Sequence, residues 1–339
     1  MHKNNFDFIR FILSFTVILA HIIDLSQHSS LTFLRPFFDS NIAVTGFFVI
    51  SGFLITRSYI STNHIKQYFI KRANRLLPGY LFTVFCGAIF LSFVSTLSFH
   101  EYFLSSDFYK YLFYNITFLN FLHPCLPGVF LNNHECAVNG ALWTIKVEVG
   151  FYVIIPPLIY VISKFSKKLF LFVFIYLAAL AYKYVVGQYY QQTGNTLFVV
   201  LAHQLPAFMS YFVSGMAMHY YLPKFINHKN YLILIALPVF ILEYYFSLEI
   251  LKPLALTIIV FYIAYGFSFL NDFGRYGDFS YGIYIYHFPL IQLCITLGFF
   301  ARYNPFVVAV CIIIIVLIMA VLSWYIIEKR FILRKLKKV

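Results

Sequence analysis

The chain has 339 residues, 61% of them hydrophobic and only 11% charged, where a soluble protein averages about 25% charged; this excludes an ordinary soluble enzyme. Its net charge of +13 does not point to nucleic acid, because the basic residues form no continuous patch. They fall mostly in alternate short loops, as in a chain threaded through a membrane, where they set topology and touch anionic lipid.

Apolar segments of about 20 residues recur from end to end, so a single all-α, polytopic membrane domain over residues 1–339 is expected. About ten transmembrane helices can be drawn, at 6–24, 41–61, 78–98, 142–163, 169–186, 197–221, 230–247, 250–270, 279–300 and 304–327. With the N-terminus inside, eighteen basic residues fall on the inner side, among them Lys3, Arg57, Lys71, Arg72, Arg75, Arg334, Lys335, Lys337 and Lys338. Five fall outside: Arg35, Lys110, Lys183, Lys252 and Arg302. That bias predicts both termini in the cytoplasm. The first apolar segment contains Asp7 and Arg10 and no small-residue cleavage site follows it, so it is expected to stay as a span rather than act as a cleaved signal.

The first span, Phe6 to Asp24, reads FDFIRFILSFTVILAHIID and carries Arg10 and His21. Ionisable residues within a membrane are costly and default to a functional hypothesis. Eleven residues make about three turns, so the two share one helix face, roughly 16 Å apart along the axis. Arg10 either snorkels to the inner surface or serves a ligand there. His21 either bonds a neighbouring helix or moves protons.

The second span holds GFFVISGFL, in which Ser51-Gly52 permits close helix approach. The inner stretch from Asn63 to Leu77 mixes Lys66, Lys71, Arg72 and Arg75 with apolar residues and suits a short interfacial helix. Arg72 and Arg75 are i,i+3 neighbours on one face, and two guanidinium forks suit a multiply phosphorylated ligand; the alternative is that they only set topology. The longest loop, Phe99 to Ala141, lies outside and contains an aromatic piece, Phe108 to Leu122, expected on or in the membrane surface. Cys125 and Cys136 share this loop. If it faces an oxidising compartment a disulfide is possible, but spacing alone leaves both states open. Cys86, Cys294 and Cys311 lie in apolar spans as packing residues.

The stretch WTIKVEVGFY, from Trp143, places Glu148 below the outer surface, where a carboxylate must pair or protonate. Lys146 is two residues away and faces elsewhere, so Glu148 is left with another partner, a structural one or a histidine. In FSYGIYIYHFPL, His287 precedes a mid-span proline. Pro289 frees a backbone carbonyl and favours a bend, and His287 reads as a hydrogen-bonding residue there. There is no phosphate-binding glycine loop, dinucleotide fingerprint or zinc spacing, and no metal or redox cofactor is expected.

Taken in order, FDFIRFILSFTVILAH, GFFVISGFLIT, KRANRLLPGY, NGALWTIKVEVGFY, FSYGIYIYHFP and SWYIIEKRF resemble the acyltransferase-3 family of bacterial integral-membrane acyltransferases. The resemblance runs essentially end to end. It implies transfer of an acyl group, usually acetyl from cytoplasmic acetyl-CoA, to an envelope sugar such as O-antigen, another surface polysaccharide, a nodulation oligosaccharide or peptidoglycan. It implies that His21 is catalytic and that Arg10, Arg72 and Arg75 meet the donor's phosphates; Glu148 is expected to orient the His21 ring or to stabilise its imidazolium. Trp143, Tyr281 and His287 are expected at the substrate. The expected partners are therefore acetyl-CoA, a lipid-linked or polymeric envelope saccharide and membrane lipids, with no nucleic acid, at the bacterial inner membrane. The hydrolase-like domain that some members carry after the last span is not expected, since only a short basic tail runs to Val339. Lys146 departs from the family, which commonly has small residues or proline there. The alternative to an enzyme is a transporter or flippase of an envelope glycan or lipid, which would need no acyl donor. A non-catalytic assembly partner would tolerate loss of His21.

Overall fold

The computed structural model describes residues 4–62 and 64–333. Lys3, Arg334, Lys335, Lys337 and Lys338, used above for the charge bias, lie outside them, as does Asn63. Among the described residues there is no strand, only an isolated antiparallel bridge between Cys125 and Ala137. The helices are α1 (Phe6–Ser26), α2 (Ser40–Ile60), α3 (Ile65–Phe90), α4 (Phe99–Leu104), α5 (Ser106–Ile116), α6 (Trp143–Lys164), α7 (Lys168–Thr193), α8 (Thr196–Ala202), α9 (Leu205–Tyr245), α10 (Lys252–Gly266), α11 (Ser280–Thr296), α12 (Phe299–Arg302), α13 (Pro305–Ser323) and α14 (Lys329–Leu333).

Seven helical stretches among the described residues are long and apolar enough to cross a membrane. Their outer faces carry large apolar side chains, such as Phe170 and Phe174 on α7 and Val310, Ile314 and Ile318 on α13. So much exposed hydrocarbon is unfavourable in water and fits a lipid surround. The basic stretch before the third span is not a separate interfacial helix. It is the first part of α3, continuous with the span.

The spans expected at 197–221 and 230–247 share one unbroken run of helix, α9. In a straight helix Tyr211 and Glu243 would stand about 48 Å apart. Both instead reach the same turn: the Tyr211 hydroxyl donates to Glu249 at 3.2 Å, and Glu243 accepts from the backbone N–H of Ile250 at 2.8 Å. The helix therefore bends sharply between them, within a stretch that contains Pro223, a residue that removes a backbone donor and bends helices.

The chain divides into two compact units. The first takes the described residues of Met1–Arg10, Val44–Phe69 and Val147–Arg275. In it α2 and α9 meet at paired glycines. A β-carbon on Gly52 would strike the Phe212 carbonyl, and one on Gly215 would strike Val49. Small residues let the two backbones touch, as GFFVISGFL suggests. Phe151 stacks on Phe212 at 3.9 Å beside this contact.

The second unit takes the described residues of Phe11–Ala43, Ile70–Lys146 and Tyr276–Val339. It is built around α11, in which every residue from Gly282 to Phe288 is buried. A helix buried all round reads as apolar all round, which is why its sequence shows no polar face. Gly282 sits against Ala320 of α13, and the Tyr286 hydroxyl donates to Ser323, whose own hydroxyl donates to the buried Glu328, each at 2.8 Å.

Candidate functional site

The second unit contains one arrangement of groups suited to chemistry. His21 on α1 and His287 on α11 are hydrogen-bonded, Nδ1 to Nε2, at 2.7 Å, with ring planes 7° apart. Phe288 packs edge-on against His21 at 5.3 Å. His287 is fully buried, and its Nδ1 lies 3.2 Å from the carbonyl oxygen of Ile283, one turn back. His21 is half-buried and lines a cavity of about 740 Å³ together with Asp24, Arg35, Glu135, Trp143 and Phe288 among others. Asp24 and Arg35, both in its lining, form an ion pair at 3.1 Å.

One wall comes from the long loop before α6, and several ties fix it to α11. Asn139 donates to the Ile285 carbonyl at 2.8 Å. Gln292, buried in α11, donates to the carbonyls of Glu135 and Ala137 and accepts from Asn133. Cys125 and Cys136 form a disulfide that closes the loop just beside the cavity residues His134 and Glu135. The state that spacing left open is thus the oxidised one. The cavity offers a base, hydrogen-bonding side chains of both charges and an aromatic platform, which together suit a hydroxyl-rich ligand.

A family model described as an acyltransferase domain matches residues 3–325. The chain belongs to the acyltransferase-3 family. This acyltransferase is 26% identical over 352 residues to an O-acetyl transferase of Shigella phage Sf6, an alignment covering 100% of this chain and 99% of that protein. It is 25% identical over 178 residues to nodulation protein 10 of Rhizobium leguminosarum bv. viciae, covering 49% of this chain and 47% of that one. No solved structure matches.

Other residues singled out by sequence in the acyltransferase fall as follows. Trp143 lines the His21 cavity. Tyr281 donates its hydroxyl to the Leu76 carbonyl at 2.7 Å, tying α11 to α3. Arg75 on α3 forms an ion pair with Asp278, which also accepts from the Ser280 hydroxyl at 2.5 Å, and Arg72 stands one turn earlier on the same helix. Arg10 belongs to the first unit, 3.9 Å from Asp7. Glu148 also belongs to the first unit and accepts from Tyr152 at 2.5 Å. Lys146, the departure from the family pattern, holds its ammonium over the Phe121 ring at 4.1 Å.

The His21 ring is thus hydrogen-bonded to a second imidazole, that of His287. The sequence alone suggests His287 as a residue of the substrate site or of a bend. The signal that it meets His21 was only that each is an ionisable side chain in an apolar span, a class that seeks partners of its own kind. Asp278 and Asn139 were not singled out at all. Among the described residues no three His, Cys, Asp or Glu side chains gather as a metal site.

Proposed function

We propose that this acyltransferase is a multi-pass enzyme of the bacterial inner membrane that transfers acetyl from cytoplasmic acetyl-CoA to a hydroxyl of an envelope sugar, in O-antigen or another surface polysaccharide. The observation that carries the reading is His21, held by a second histidine and opening on a polar cavity, in a chain of this family. The end-to-end likeness to a phage O-acetyl transferase supports acetyl as the group moved. In this reading the chain forms one catalytic domain that crosses the membrane ten times with both termini in the cytoplasm. The bend in α9 supports two crossings there, and the disulfide supports a loop exposed to an oxidising compartment.

The acceptor occupies the cavity, stacked on Trp143, with its hydroxyl at His21. His21 takes the hydroxyl proton as the oxygen attacks the thioester carbon, and the carbonyl oxygen becomes an oxyanion. When the intermediate collapses, the carbon–sulfur bond breaks. The sulfur receives the proton from His21, giving the acetyl ester and CoA. Arg72 and Arg75 meet the phosphates of CoA, and Arg10 is a separate candidate for the donor. The forks suit phosphate, and Arg75 exchanges or shares its Asp278 partner when the donor arrives. Tyr281, tied to the Leu76 carbonyl, belongs to the substrate site in this reading. In this reading Glu148 assists catalysis, a role that its own substitution tests.

The test is the O-acetyl content of purified envelope polysaccharide by proton NMR. A strain lacking the protein is compared with the same strain expressing wild type or His21→Ala at matched membrane levels. The expected result is acetyl signal with wild type and none with His21→Ala. Equal acetylation in both removes His21 from the centre. No acetyl in either, with polysaccharide amount or location altered, moves the reading to a transporter. Arg72→Ala and Arg75→Ala are expected to raise KM for acetyl-CoA, and Glu148→Gln to lower kcat.

A further inference from the structure

We propose that His287 is a positioning residue that fixes His21 in the tautomer carrying its proton on Nδ1, so that Nε2 is the nitrogen that takes the acceptor's proton. This rests on the reading of His21 as the base.

The argument runs through three atoms. A carbonyl oxygen can only accept, so the nitrogen of His287 facing Ile283, Nδ1, must carry the hydrogen. A neutral imidazole protonated at Nδ1 has Nε2 as its only acceptor, and this nitrogen lies 2.7 Å from Nδ1 of His21. His21 Nδ1 must then donate. In the neutral His21 ring the lone pair is left on Nε2, the nitrogen not engaged with α11, and the ring lines the cavity.

His287 itself is fully buried and absent from the cavity wall, so it does not touch the acceptor. The substrate-binding role expected for it on sequence is therefore not the role assigned here. Its own acceptor is a backbone oxygen one turn back, which no side-chain substitution removes. The tautomer of His21 is in this way written into the main chain of α11. When His21 gains a proton at Nε2, the Nδ1 bond becomes charge-assisted and strengthens, which favours the state that forms as the hydroxyl attacks. The two rings are also coplanar to within 7°, so the bond restrains the His21 ring about both its side-chain torsions.

The test uses the full-length protein in membranes, with radiolabelled acetyl-CoA as donor and envelope polysaccharide from the strain lacking the protein as acceptor. His287→Leu keeps the bulk and removes the acceptor. It is expected to lower kcat about 100-fold, at the low end of what a positioned base contributes, with KM for acetyl-CoA unchanged. His287→Gln can place an amide oxygen near the former Nε2 position and is expected to recover most of kcat. Wild-type kcat in His287→Leu overturns the proposal, and so does a Gln variant as poor as Leu at normal membrane level. If either variant fails to accumulate, 15N NMR of histidine-labelled wild type in micelles decides. A neutral His21 with its proton on Nδ1 is expected, and a proton on Nε2 overturns the proposal. His21→Ala is run alongside. Full activity there defeats the reading of His21 as base, whereas an inactive His21→Ala with an unaffected His287→Leu defeats only the present inference.

Discussion

The side chain of Asn139 stands in for the backbone N–H that Pro289 lacks. In a regular helix the N–H of residue 289 would bond the Ile285 carbonyl. Proline has no such hydrogen, and the Asn139 amide donates to that oxygen at 2.8 Å. The bond joins the loop before α6 to α11 two residues from His287. Removing it leaves a buried carbonyl unpaired, at a cost of about 1 kcal/mol in a membrane setting. Asn139→Ala is expected to lower the thermal midpoint in detergent, and Asn139→Asp, which keeps the acceptor for the Ala141 N–H but loses the donor, should do no better. In a Pro289→Ala background, where the backbone donor is restored, Asn139→Ala should cost less. Equal cost in both backgrounds would show that the amide does something other than replace the proline's hydrogen.

How far the sequence reached is clear from such residues. Pro289 announced a freed carbonyl, and Gly52 announced a close helix contact, because both effects are local to the backbone. Arg10 and His21 stood out because charge in an apolar span is costly. The partners did not stand out. Asn139 lies 146 residues from Ile285, and His287 lies 266 residues from His21. No periodicity encodes a pairing over that distance. For Glu148 general chemistry offered a histidine, and the neighbouring Tyr152, one turn on, accepts the task. The two spans at 197–221 and 230–247 were legible as apolar runs, but the helical backbone through the polar stretch that joins them was not.

The disulfide between Cys125 and Cys136 closes a short loop whose far end, at His134 and Glu135, forms part of the cavity wall. A cross-link over a loop of this size restricts the unfolded chain by about 3 kcal/mol in the chain-entropy account. Treatment of wild type with dithiothreitol is expected to lower the thermal midpoint and to raise KM for the saccharide, with KM for acetyl-CoA unchanged. A protein carrying both Cys125→Ser and Cys136→Ser should show the same defect without reductant and no further change with it. A reductant effect that persists in the double variant would mean that it does not act through this bond.

Glu249, in the turn after α9, should make stability depend on pH. Burial by itself raises its pKa, but Lys183 at 2.7 Å, Lys252 and the Tyr211 hydroxyl outweigh burial and hold the carboxyl below its ordinary value. A carboxyl whose pKa is depressed on folding stabilises the folded state above its unfolded pKa, about 4.3, and that contribution disappears as pH falls through the lower folded value. Wild type should therefore lose stability between about pH 5 and pH 3 more steeply than Glu249→Gln does. Thermal midpoints of the two proteins measured across that range in one detergent provide the comparison. Parallel curves would mean that the lysines do not stabilise the carboxylate.

Gly140 has no room for a side chain, and the obstacle is the ring that abuts His21. A β-carbon there would come within 2.7 Å of the Phe288 ring, and Phe288 packs edge-on to His21 at 5.3 Å. A methyl group at 140 must displace the ring, which packs against His21, and under the proposed mechanism a small misplacement of His21 lowers the rate. Gly140→Ala is therefore expected to lower kcat about tenfold while leaving KM for acetyl-CoA unchanged. Phe288→Leu alone should be milder, because it removes bulk without pushing on the imidazole. Combined with Gly140→Ala it should recover part of the lost rate, since the smaller side chain makes space for the methyl. Such recovery is the mark of two residues coupled by direct contact. Additive losses in the double variant would mean that Gly140 acts through the backbone of its own turn, and the steric route from the loop before α6 to His21 would be wrong.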